Sequence, residues 1–266
     1  MPGDEILVAV AALIIGPVLW AVWLFRMSAI QTVRGGRRGV RPVAAALTAC
    51  ILIVFTVLEA GGSPNVASAP QYLFMYVVLG LAWCRVAALT FSYLGSSPRD
   101  DAIERGNDAA MAALAGALVA VTLCYAGANV GDGPGWWVVL ASAGLATGAL
   151  IVMWAALASL TSVVDAVAID RDPAAGLRLA AYLIACGLIL GRGVAGDWES
   201  ASATLSDFAS APPAAGLVLL CAVPVEWVAR PTPQRPQAPL IALGVLPAAA
   251  YLFIAIGDMA LKGRPV

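Results

Sequence analysis

Eight long apolar stretches, separated by short segments rich in Gly, Pro and charge, set the pattern of this chain. They fall at about 5–26, 43–61, 71–94, 109–128, 136–161, 174–193, 213–229 and 239–259. A helix of about 20 residues crosses a hydrocarbon core of roughly 30 Å. No water in that core pairs with the backbone, so each segment must satisfy its own N–H and C=O groups, which favours helices. The runs are continuous, unlike the alternating strands of an outer-membrane barrel. The pattern predicts an all-α fold: a polytopic integral membrane helical bundle of about eight transmembrane helices. The first run is too long for a signal peptide and has no small-residue cleavage site, so it reads as an anchor.

Two polar-to-apolar junctions repeat within this pattern. Arg105-Gly-Asn-Asp-Ala-Ala110 opens the fourth stretch, and Asp170-Arg-Asp-Pro-Ala-Ala175 opens the sixth. Asp172 stands 65 positions after Asn107, and the preceding stretches at 71–94 and 136–161 share that offset. Both units run the same way through the membrane, which predicts a central parallel repeat of two helical hairpins. Asn107 and Asp172 are expected to cap the helices they precede, with Pro173 at the first helical position. The chain then divides into 1–69, two helices with a basic loop; 70–195, the duplicated hairpin core; and 196–266, two further helices. Small-residue faces at Ala112/Gly116, Gly144/Gly148 and Gly187/Gly191 predict close helix contacts within the monomer.

Composition agrees with the pattern: 61% of the 266 residues are hydrophobic and 12% charged, against about a quarter charged in soluble chains. Charge placement adds orientation. Arg26, Arg34, Arg37, Arg38, Arg41, Arg99, Arg105, Arg171, Arg178, Arg230 and Arg235 mark one set of loops; the other carries only Arg192, Lys262 and Arg264. The positive-inside rule puts the first set in the cytoplasm and both termini outside it, as expected in a bacterial inner membrane. Trp136, Trp137 and Trp198 on one side, and Trp20, Trp23 and Trp227 on the other, read as interfacial belts. Cys50, Cys84, Cys124, Cys186 and Cys221 all fall within spans and read as apolar fillers.

The chain has no histidine, and its single lysine, Lys262, is in the tail. That removes His-based metal sites, triads and haem ligation, and a Schiff base inside the bundle. No enzyme, cofactor, metal or nucleic-acid partner is expected. Intramembrane charge is the remaining signal. Arg85 lies about nine residues, roughly 12 Å, from the cytoplasmic end of its span. Either it snorkels to the headgroups, or it faces the bundle interior and pairs with a carboxylate, Glu226 or Asp165. Glu226 with Arg230, and Asp258 with Lys262, can instead form local helix pairs. Pro17 and Pro224 interrupt spans singly.

The segment Ser97-Pro-Arg-Asp-Asp-Ala-Ile-Glu-Arg-Gly-Asn-Asp-Ala-Ala110 resembles the junction of the YjfL-like inner-membrane family, a bacterial domain of unknown function built from two such hairpins. Asp172-Pro-Ala-Ala-Gly176 is similar to its second copy, with Arg171-Asp172 where the family has Gly-Asn. Ala185-Cys-Gly-Leu-Ile189 and Gly196-Asp-Trp198 are similar to its later segments. The resemblance covers residues 70–195. It implies a link to envelope stress and to polyamine-related gene neighbourhoods, and no established activity.

Two functions follow. The first is a transport- or channel-like component with a polar path around Arg85, Glu226 and Asp165. The alternative is a non-transporting scaffold or sensor that recruits a cytoplasmic protein partner through Arg34, Arg37, Arg38 and Arg41. That basic loop also suits topology and contact with anionic lipid in the bilayer. The acidic stretch Asp197–Asp207 would attract a small cation or a polyamine.

Overall fold

The computed structural model describes residues 2–34, 40–235 and 237–263. Arg37 and Arg38 of the basic loop lie outside the described residues, as does the side chain of Arg34. Arg41 is exposed at the start of its helix. The described residues are helical, with no strand among them. In chain order the helices are α1 (Gly3–Leu13), α2 (Leu19–Arg34), α3 (Arg41–Gly61), α4 (Pro64–Ala67), α5 (Pro70–Ala87) and α6 (Asp108–Gly127). There follow α7 (Trp136–Leu160), α8 (Val163–Ala168), α9 (Pro173–Gly193), α10 (Ala201–Phe208), α11 (Ala211–Ala229) and α12 (Leu246–Lys262).

Among the described residues, seven helices are long and apolar enough to cross a membrane, so this is a multi-pass membrane protein. The helix at Pro70–Ala87, which carries Arg85, is not among the seven; a turn and a 3₁₀ segment, Phe91–Leu94, extend it. It must cross all the same. Glu5 shares one cavity with Gly193–Trp198, and the Lys262 ammonium donates to Ser210 O at 3.3 Å, so the first and last helices end on one face. An even number of crossings is required, and α5 is the eighth.

The centre of the bundle is the pair α6 and α9. Both are Ala/Leu-rich, and residues such as Ala109, Leu118, Ala120, Ala175, Leu183 and Ala185 are fully or almost fully buried. Gly176 packs on Ala109, Gly116 on Ala180, Gly187 on Ala120 and Gly191 on Leu123. Both numbers in these pairs rise together, so the helices run parallel and side by side. A Cβ at Gly187 would stand 2.7 Å from Ala120 O and 2.8 Å from Ala120 Cα, which backbone cannot accommodate without separating. Small residues therefore set the closeness of this contact. The third small-residue face behaves differently: Gly148 meets open space and Gly144 only the Trp83 ring. That corrects the expectation of close helix packing there.

Local hydrogen bonds recur at the offset of 65. Asn107 N–H donates to Asp101 O at 3.3 Å, and Asp172 N–H to Ala166 O at 2.9 Å. Asn107 Oδ1 accepts from the N–H groups of Ala109 (3.0 Å) and Ala110 (3.2 Å), so it caps α6. The Asp172 carboxylate accepts from Ala174 (3.3 Å) and Ala175 (3.2 Å), capping α9. At the opposite ends, Gly131 (φ +97°) and Gly196 (φ +139°) adopt backbone conformations that suit only glycine. Gly196 N–H donates to Val130 O at 3.1 Å and Asp132 N–H to Asp197 Oδ1 at 2.7 Å, tying the two exit loops together.

Candidate functional site

The junction end of the bundle is closed by an ion pair. Arg178 lies five residues after Pro173, about 7.5 Å along α9, and Glu226 lies three before the end of α11. They are 0% and 3% exposed. Arg178 Nε and Nη2 donate to the two Glu226 oxygens, each at 2.7 Å, the bidentate geometry that suits guanidinium and carboxylate. Arg178 Nη1 donates to Leu243 O. That carbonyl sits in a π-helical turn, Leu240–Val245, and Pro247 four residues on has no N–H to give it an α-helical bond. One residue thus clamps α9, α11 and the start of α12. Beside the clamp, the Tyr251 hydroxyl is buried without a hydrogen-bond partner and lies in the field of both charges. The Tyr251 ring meets Tyr182 edge-on at 6.4 Å.

This arrangement corrects four expectations. Glu226 pairs with Arg178, so it is neither the partner of Arg85 nor of Arg230, which is exposed. Arg178 is not a loop cation; its flanks, Ala174-Ala-Gly-Leu and Leu-Ala-Ala181, are apolar on both sides, as are those of Glu226. Two opposite charges inside separate spans, near the same face, were the signal for this pair. Asp165 is exposed on α8 and does not meet Arg85. Arg85 is half-buried, with its guanidinium 5.4 Å from the centroid of the Trp20 ring. A cation over an indole face is stabilised without a carboxylate, and Arg85 Nε has no hydrogen-bond partner. Trp20 itself is 5% exposed and donates to Leu81 O at 3.1 Å, so it packs against α5.

Asn107 and Asp172 differ in a way their partners explain. Asn107 Nδ2 donates to Val167 O at 2.7 Å, crossing from one unit to the other. Asp172, which can only accept, takes Ala238 N–H at 3.3 Å instead. The second junction is thereby tied to the segment that leads into the Leu240–Val245 turn. Asp258 and Lys262 form the expected i,i+4 pair at 3.0 Å.

At the other end, where the chain begins, a cavity of about 240 Å³ opens between α1, α5, α7, α10 and the two exit loops. Glu5, Asp132, Asp197 and Asp207 line it, and among the described residues no Lys or Arg does. Deeper in, Asn129 and Ser142 are each 6% exposed. Asn129 Nδ2 donates to Tyr125 O at 2.7 Å, and both side chains line the cavity. Glu5 Oε2 is buried and unpaired. The acidic loop was legible in the sequence; Glu5, Asn129 and Ser142 were not, since they meet only when α1, α6 and α7 pack.

No family model, no curated protein and no solved structure matches the chain. The resemblance to the YjfL-like family therefore rests on the quoted motifs alone.

Proposed function

We propose that the protein is a transport-like component of a bacterial inner membrane, with the cavity as its entrance on the extracytoplasmic side. The observation that carries this reading is a polar cavity at one face opposed by a sealed ion pair at the other. The Arg178–Glu226–Leu243 clamp joins three helices at a π-turn, and such breaks in the helix ladder are where helices bend. Charged groups within spans that face the bundle interior generally mark ion or substrate pathways. Release of the clamp would free the start of α12 and open the junction face, which the arginine bias puts in the cytoplasm. The test is flux into liposomes containing the purified protein. Wild type should move small cations, and Glu226→Gln should change the rate at least tenfold. Liposomes that leak no faster than protein-free controls would overturn the reading; a stoichiometric cytoplasmic protein retained on purification would then favour the scaffold.

A further inference from the structure

We infer that the vestibule at the chain-terminal face binds a small organic ammonium ion bearing N–H donors. This deepens the transport reading by naming a ligand class for its entrance. Glu5 Oε2 is buried and unpaired, the Asn129 carboxamide and the Ser142 hydroxyl line the wall and are each 6% exposed, and the acids Asp132, Asp197 and Asp207 stand around them. An unpaired acceptor in a buried place has a cost that a donor from the ligand removes. The site as a whole therefore selects a cation that donates hydrogen bonds.

Two observations separate an ammonium from a metal ion. Among the described residues no group of three or more His, Cys, Asp or Glu is arranged to hold a metal. The cavity wall also includes Tyr72 and Tyr76, aromatic residues that suit an alkylammonium by cation–π attraction and by contact with its carbon chain. Size sets the rest. A volume of about 240 Å³ lies just below the roughly 300 Å³ at which drug-sized pockets begin, so the ligand has only a few carbons.

The test is isothermal titration of the full chain in detergent with n-butylammonium, tetramethylammonium and Mg²⁺ as probes. We expect n-butylammonium to bind at least about tenfold more tightly than tetramethylammonium, whose nitrogen has no N–H, with Mg²⁺ unable to displace it. Glu5→Gln should weaken n-butylammonium about tenfold and Ser142→Ala about threefold to tenfold, with unchanged elution volume and helicity. No heat from n-butylammonium at millimolar concentration, equal binding by Glu5→Gln, or displacement by Mg²⁺ would each overturn the inference. Binding without flux would leave this site standing and remove the transport reading; flux without binding would do the reverse.

Discussion

Replacing Glu226 by Gln should destabilise the bundle far more than removing the whole ion pair. Arg178 is 0% exposed and makes three hydrogen bonds, two to Glu226 and one to Leu243 O. In Glu226→Gln the amide oxygen still accepts one N–H, but the amide NH₂ faces a second guanidinium N–H and the positive charge loses its counter-ion. One lost bond to a charged group is about 1.5–3 kcal/mol, and an uncompensated buried charge brings the total to about 3–5 kcal/mol. The double variant Arg178→Met/Glu226→Leu removes both charges and keeps apolar volume, so it should lie within about 1 kcal/mol of wild type. Equilibrium unfolding in mixed micelles, across the two single variants and the double, gives the coupling directly. A Glu226→Gln cost below about 1 kcal/mol, or additive single effects, would refute the buried, sealed geometry on which the clamp rests.

Gly187→Leu should separate α6 from α9 and cost more than about 2 kcal/mol, because the added Cβ meets Ala120 backbone at 2.7–2.8 Å; Gly148→Leu, into open space, should be tolerated in the same unfolding assay. Asp172→Asn should cost about 1–3 kcal/mol, since one carboxamide oxygen cannot accept from Ala174, Ala175 and Ala238 together; protection of the Ala238 amide in hydrogen exchange should fall with it. Trp20→Leu should weaken the hold on Arg85, removing the indole face and the bond to Leu81 O, for a loss of about 1–2 kcal/mol in stability.

The membrane class, the approximate spans and the two capping residues were legible because each depends on local chemistry: apolar length, a cap before an Ala-rich run, a proline at the first turn. The offset of 65 was also local, and its physical content is larger than the sequence suggested. It places Gly116, Gly176, Gly187 and Gly191 along one parallel helix contact and aligns Gly131 with Gly196 in the exit loops. What escaped sequence reading depends on how helices far apart in sequence rotate against one another. Arg178 looked like a loop cation because its span begins only five residues earlier, whereas α11 and α12 bury it completely. Arg85 looked like the intramembrane site because it lies deeper, yet its guanidinium rests over the buried Trp20 ring rather than beside a carboxylate. Pro247, which leaves Leu243 O free for Arg178, marked a helix break that apolar runs alone do not disclose.

In the transport reading the polar entrance opens at the face where α1 begins and α12 ends and is closed at the other face. Labelling of Ser142→Cys by a membrane-impermeant maleimide, in sealed vesicles of each orientation, decides whether it does. Four of the five native cysteines are buried, and the wild type serves as the control for the fifth. Labelling is expected from the terminal face only, slowed by n-butylammonium. No labelling from that face, or equal labelling from both, would contradict it.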